Sequence, residues 1–161
     1  KYMTRLKAQL DESALLESVK SGNPITDIII SEKQKAAEKK GIDFKYEFYY
    51  PENTKLNAFD ISVILNNAIN NAIEAAVECE NPFVKILSYR KNGVYMIEIH
   101  NSITGNRVID SYNGLPVTTK SGEGHGFGLV NVKKVAQKYY GDIDIEQSGN
   151  EFILVVMLMV E

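Results

Sequence analysis

The pattern of apolar and polar positions changes its period several times along the chain. From Lys1 to Lys20, Met3, Leu6, Leu10, Leu16 and Val19 recur at roughly heptad spacing among Lys, Glu and Asp, which predicts an amphipathic helix. That stripe can face the rest of the domain or a partner helix. Ser21-Gly22-Asn23-Pro24 interrupts it. Asn23 is a good N-cap and Pro24 suits the first helical position, so a second helix starts there, with Ile25, Ile28, Ile29, Ala36 and Ala37 on its apolar side and Gly41 at its end. Ile42 to Tyr49 alternates with period two and reads as a half-buried strand. After a loop over Pro51 to Asn57, a third helix is expected from about Ala58 to Glu80, stopped by Asn81-Pro82.

Phe83 to Lys91 and Val94 to His100 read as strands joined at Asn92-Gly93, a strong hairpin signal. Asn101 to Gly128 shows no periodicity and holds six of the eleven glycines, and a loop that long is usually functional. A fourth helix follows over Leu129 to Tyr140, closed by Gly141. Asp142 to Gln147 and Glu151 to Val160 make a second hairpin around Ser148-Gly149-Asn150. The final strand is apolar throughout, so burial of both its faces is expected. The order of elements predicts an α+β fold: a two-layer α/β sandwich, with a mixed, mostly antiparallel sheet and the helices on one face.

Composition narrows the function classes. The chain has 161 residues, 44% hydrophobic and 24% charged, with 18 Lys+Arg against 21 Asp+Glu. That is enough chain for one domain with a real core, and its net charge of −3 argues against a nucleic-acid binder. A single cysteine, Cys79, excludes an internal disulfide, and two histidines make a Cys/His zinc site a poor expectation. A reducing, cytoplasmic location follows as the default. The longest apolar run, Phe152 to Val160, has nine residues, well short of a bilayer span. Beginning inside a helix, the chain reads as a piece of a longer protein.

Two motifs carry the chemistry. The third helix places Asn66, Asn67, Asn70 and Asn71 in its interior, where each costs roughly half a kcal/mol in helix propensity relative to Ala. Asp60, Asn67, Asn71, Glu74 and Glu78 share one stripe at helical spacing. A carboxamide oxygen can ligate a hard cation without deprotonation, and Mg2+ needs few protein ligands when phosphates supply the rest. The second motif is Gly122-Glu123-Gly124-His125-Gly126-Phe127-Gly128-Leu129 ahead of a helix. Its glycines let backbone N–H groups approach an anion, and Thr118, Thr119 and Lys120 add hydroxyls and a cation just upstream. Neither a dinucleotide-binding nor a Walker A pattern fits.

Together these motifs resemble the GHKL ATPase superfamily. Ile64 to Ala75 is similar to its asparagine box, and Gly124-His125-Gly126-Phe127-Gly128-Leu129 to its second glycine box. The Asn-Ala-Ile-Glu-Ala run with the Gly-His-Gly form resembles the Agr-type, peptide-pheromone-receptor histidine kinases of Gram-positive bacteria. The resemblance covers roughly residues 23–160 and implies a Bergerat fold binding ATP with Mg2+ between the asparagine helix and the glycine loop. It implies residues 1–22 as the end of a dimerisation-type helix and 23–161 as the catalytic domain. Asn71 then matches the metal ligand and Asn67 the companion polar position facing the phosphates. Glu74, Thr119 and Lys120 join the nucleotide site, as do Gly124, His125, Gly126, Phe127, Gly128 and Leu129 of the box. Asn101 stands where the superfamily has an adenine-binding Asp, and its amide oxygen can still accept.

Superfamily hydrolases place a Glu four residues before the metal Asn. This chain has Asn67 there, which favours phosphoryl transfer to a separate nucleophile over rapid hydrolysis. His100 and His125 are the only histidines, and neither lies on the N-terminal helix, so the phosphoacceptor His is expected upstream of Lys1. His125 reads as a loop residue, and His100 as a strand-end residue lining the pocket or the core. The resemblance implies a homodimer through upstream helices, a response regulator as partner, and membrane attachment only through an absent N-terminal sensor region. A serine kinase of anti-sigma type and a nucleotide-free dimerisation or binding module are the alternative readings.

Overall fold

The structure is a computed structural model and describes residues 19–105 and 127–160. The heptad positions Met3 to Leu16 lie outside the described residues. Val19, the last of that stripe, is buried.

Helix α1 spans Pro24–Lys39. The Asn23 side-chain oxygen caps it, accepting from the N–H of Ile25 at 2.9 Å. Gly41, at φ +75°, turns the chain out of it. Strand β1 (Asp43–Glu47) follows. Helix α2 (Ala58–Ala76) is capped by the Asn57 oxygen at 2.7 Å from the N–H of Phe59. Its buried positions Ile61, Ile64, Leu65, Ala68, Ile69 and Ala72 follow the three-and-four spacing that puts one helix face on a sheet. Helix α2 ends four residues before the expected Glu80, with Val77 as its C-cap.

Strands β2 (Phe83–Lys91) and β3 (Val94–Ser102) form the expected hairpin. Asn92 and Gly93 adopt φ +50° and +79°, the two left-handed residues that match the twist of the flanking strands. Helix α3 (Phe127–Lys138), β4 (Asp142–Ser148) and β5 (Glu151–Met159) complete the chain. The sheet order is β1-β2-β3-β5-β4, with β1 parallel to β2 and the other pairs antiparallel. The fold is therefore the expected α+β sandwich, with a mixed, mostly antiparallel sheet.

The core lies between the helices and one face of the sheet. Val84 and Ile86 of β2, Ile97 and Ile99 of β3, and Leu154 and Val156 of β5 are all at most 2% exposed. At the start of the sheet, Phe48 meets Tyr95 edge-on at 6.5 Å between ring centroids. Burial pushes the Tyr95 phenol pKa far up, and its hydroxyl donates to the carbonyl of Tyr49 at 2.6 Å. The expectation that β5 is buried on both faces is corrected: its residues alternate between buried and half-buried. The apolar run therefore serves one covered face, and the other turns away from the helices.

The end of α3 departs from the expected glycine cap. The N–H of Tyr140 bonds to the carbonyl of Gln137 and that of Gly141 to Ala136, which ends α3 in a left-handed turn. Tyr140, not Gly141, holds the left-handed position at φ +58°, and it is 90% exposed. A left-handed L-residue costs about 1–2 kcal/mol, partly offset in a glycine variant by the unfolded chain's extra entropy. Tyr140→Gly is expected to raise the melting temperature by about 2 °C, read by calorimetry.

Candidate functional site

Two contacts fix how α3 lies on α2. At one end Asp60, in the first turn of α2, accepts from Lys138 Nζ at 2.9 Å and from the Tyr139 hydroxyl at the end of α3. The same hydroxyl accepts from the N–H of Asn57 at 3.2 Å. Toward the other end, a Cβ on Gly128 would sit 3.5 Å from Asn67 Oδ1 and 3.8 Å from the Asn67 carbonyl. The helices are thus antiparallel, and α3 begins against the middle of α2. The stripe of α2 that carries Asn71 and Glu74 continues past the start of α3. The first N–H groups of α3 carry partial positive charge and point along that stretch.

Each amide has a defined place. Asn67 is half-buried, and its Nδ2 donates to the carbonyl of Val63 at 2.8 Å. That bond fixes the amide orientation, so Oδ1 is the atom presented toward Gly128. An amide oxygen takes a cation or an N–H and repels a phosphate oxygen, so this atom could approach a phosphate only through a cation. Asn71, one turn on, is half-buried, and Glu74 is exposed. Asn101 is 2% exposed on the helix-facing side of β3, where its Nδ2 donates to the carbonyl of Ser102 at 2.9 Å. It stands at the end of the sheet where α2 finishes and β2 begins, since the N–H of Phe83 bonds to Ser102 Oγ at 3.0 Å. The start of α3 therefore meets the middle of α2, and Asn101 lies on the helix-facing side of the sheet at the end where β2 begins.

Gly128 joins this site by contact, whereas Leu129 is buried in the core. Phe127 opens α3. Thr119, Lys120, Gly124, His125 and Gly126 lie outside the described residues. The stripe predicted from spacing is corrected at Asp60, which is buried and spent on the α2–α3 contact. That pairing was missed from the sequence. Its available signal was an acid in the first turn of one helix and Lys-Tyr at the end of the next. His100 is also corrected: it faces neither pocket nor core. It lies on the sheet face away from the helices, with Nε2 at 2.8 Å from Glu98 and Nδ1 at 2.7 Å from Glu151. Burial raises the pKa of Glu98, but hydrogen bonds from Tyr89 and His100 outweigh it and hold the carboxyl below its usual range.

The Asp60 cluster makes a pH prediction. Burial raises the pKa of Asp60, but the bonds from Tyr139 and Lys138 prevail, and the net shift is down from 3.8. A carboxyl depressed in the folded state binds fewer protons there than when unfolded. Its stabilisation is complete above the unfolded pKa and fades as pH falls through the folded value. Asp60→Asn is expected to cost about 2 kcal/mol at pH 7 and to flatten the fall in stability below pH about 4, measured by denaturant titration.

Among the described residues no helix is long and apolar enough to cross a membrane, and no group of three His, Cys, Asp or Glu could hold a metal ion. A cation at this site would therefore rely on amide oxygen and on ligands brought by an anion, which the donor set on α2 fits.

The chain matches the GHKL domain family over residues 56–159. No curated protein sequence matches it. Among solved structures, the catalytic domain of histidine kinase ThkA superposes with a TM-score of 0.68 at 23% identity, covering 87% of this chain and 93% of that one. The mycobacterial sensor histidine kinase MprB gives 0.61 at 15% identity, covering 83% and 94%. ThkA in complex with the response regulator TrrA gives 0.64 at 20% identity, covering 99% of this chain and 48% of that chain. These likenesses carry the fold, while the family match spans 104 of the 161 residues and includes α2, Asn101 and α3. The chain belongs to the GHKL domain family.

Proposed function

We propose that this chain is the ATP-binding catalytic domain of a two-component sensor histidine kinase, of the Agr-type branch. It delivers the γ-phosphoryl group of ATP to a His on a separate dimerisation segment. The observation that carries the reading is the placement of Asn67 and Asn71 on the stripe of α2 where α3 starts, with Gly128 against Asn67. Mg2+ would be held through the Asn71 amide oxygen, with Asn67 Oδ1 beside it, and would neutralise phosphate charge. Gly124, Gly126 and Gly128 would give N–H groups to the phosphates, and Thr119 and Lys120 would contribute a hydroxyl and a cation. Asn101 would accept from the adenine amino group.

The residues argue for transfer over hydrolysis. Asn67 occupies the position of a water-activating Glu, and an amide cannot take a proton at neutral pH. Positioning and charge neutralisation then supply the catalysis, and the nucleophile must be brought in. His100 is poorly suited to receive phosphate, because two carboxylates flank its ring and would repel the incoming group. On this reading the acceptor would be a His on a separate helical segment that pairs two copies. A response regulator would take the phosphate next, and a membrane sensor would lie further upstream.

The test uses γ-labelled ATP with Mg2+. The 161-residue chain alone should retain no label, and label should pass to an added dimerisation segment only when that segment keeps its His. Label on a serine of an added partner, or none on the His segment while ATP binds, would overturn the assignment.

A further inference from the structure

The sheet face turned away from α2 and α3 carries an apolar strip beside an acidic one. On β5, Ile153, Val155, Met157 and Met159 alternate with the buried set and stay half-buried or exposed. Met157 lies directly opposite Met96 of β3, and Met159 opposite Val94. Three of the four methionines in the chain thus sit on one patch. Thioether side chains are flexible and polarizable, and they recur on surfaces that accept apolar partners of varied shape. Such a patch left in water is the surface a monomer avoids.

The flank of the patch has one sign. Asp142 lies opposite Met157, Asp144 opposite Val155, and Glu146 opposite Ile153. All three carboxylates are exposed, because Ile143 and Ile145 between them turn inward against the core. Ile153, Val155 and Met157 of β5 therefore each have an acid at their side. The lysines of the same face, Lys45, Lys85 and Lys91, stand on β1 and β2, beyond β3. A row from Met159 to Ile153 runs about 20 Å, the length of a helix of about 13 residues.

We infer that this face, with β5 and Met96 as its apolar floor and β4 as its acidic rail, binds a basic amphipathic helix of a partner protein. Leu-type side chains of the helix enter between the methionines, and Lys or Arg along one edge meets Asp142, Asp144 and Glu146. The charge selects this occupant over an anionic membrane, which β4 would repel. It also disfavours a second copy laid with β4 on β4. The inference is independent of the nucleotide reading, since these side chains lie on the sheet face opposite the one packed against the helices.

The probe is a labelled Leu/Lys peptide of about 14 residues with its leucines on one helical face, titrated into the 161-residue chain by fluorescence anisotropy. Saturable binding is expected, at least about tenfold weaker for a scrambled peptide of the same composition. It should also weaken about tenfold in Met157→Ser and in Asp144→Lys/Glu146→Lys, with only the charge effect shrinking in high salt. All substituted positions are on the uncovered face, and an unchanged melting temperature confirms folding. Equal binding of the scrambled peptide, or by the variants, overturns the inference. So does a dimer by light scattering that Met157→Ser dissociates, which would make a second copy the occupant. Peptide binding seen only after deletion of residues 1–18 also overturns it, since the chain would then cover its own face.

Discussion

Asn71→Ala will weaken Mg-dependent ATP binding by about 100-fold, or roughly 2.7 kcal/mol, while leaving the ligand-free fold intact or slightly more stable. The two halves of that result have separate causes. Asn71 is half-buried on the stripe of α2 that α3 leaves uncovered. On the proposed reading its carboxamide would hold a cation near the start of α3, with the Asn67 amide oxygen one turn away. Loss of that oxygen removes a charge-assisted bond that water cannot replace with equal geometry. In the ligand-free protein Asn is a poor helix former, and Ala in its place should gain about half a kcal/mol. Calorimetric titration of ATP with Mg2+ gives the first half. Thermal unfolding with and without the ligand gives the second, because ligand raises apparent stability only as far as it binds the folded state. A variant that unfolds early would show Asn71 to be structural. A variant that binds ATP with the heat of the wild type would remove the metal from α2. Asn71→Asp is the companion: it keeps an oxygen ligand but adds a charge near phosphate, so it should bind more weakly than wild type and still respond to Mg2+.

Much of this fold is legible in the sequence because its signals are local. Asn23-Pro24 and Asn92-Gly93 name their own cap and turn, and the spacing of Ile61 to Ala72 names the buried face of α2. The pairing of β3 with β5 is not local. It joins residues 94–102 to 151–159 across α3 and β4, and no short pattern encodes which strands become neighbours. The same limit hides the outward face of the last strand, whose apolar run looks the same whether one face or two are covered. At the site, Asn67, Asn71 and Gly128 are legible because a polar stripe inside a helix and a glycine run before another both carry a visible propensity cost. Asp60 looks equivalent on that stripe. Only the fold shows it turned to Lys138 and Tyr139, which sit 78 and 79 positions away. His100 fails for a related reason: a strand-end position does not state its face until the register is known.

Gly141→Ala is expected to be the most damaging single-methyl substitution among the described glycines, destabilising the domain by at least about 3 kcal/mol. The sequence places a glycine there as the cap of α3, and capping alone would cost about 1 kcal/mol. The structure gives it another task. A Cβ on Gly141 would lie 1.7 Å from the carbonyl oxygen of Met157 and 2.7 Å from its carbonyl carbon. Those are backbone atoms of β5, which is hydrogen-bonded on both sides, to β3 and to β4. No side-chain rotamer can relieve the overlap, so either β5 moves or the turn between α3 and β4 opens. The N–H of Met159 bonds to the carbonyl of Tyr139 at 3.1 Å, which ties the two segments at that point. Opening the turn would also release Tyr139 from Asp60 and loosen α3 where it meets Asn67. The effect therefore reaches the site: a Gly141→Ala protein that still folds should bind ATP with Mg2+ more weakly than wild type, with Asn71 and the glycine loop untouched. Gly149→Ala is the matched control. Its φ of +59° costs an L-residue about 1 kcal/mol, but a Cβ there meets nothing within 4 Å. Denaturant midpoints for the pair separate close approach from backbone conformation, and equal losses would show that Gly141 serves only the turn.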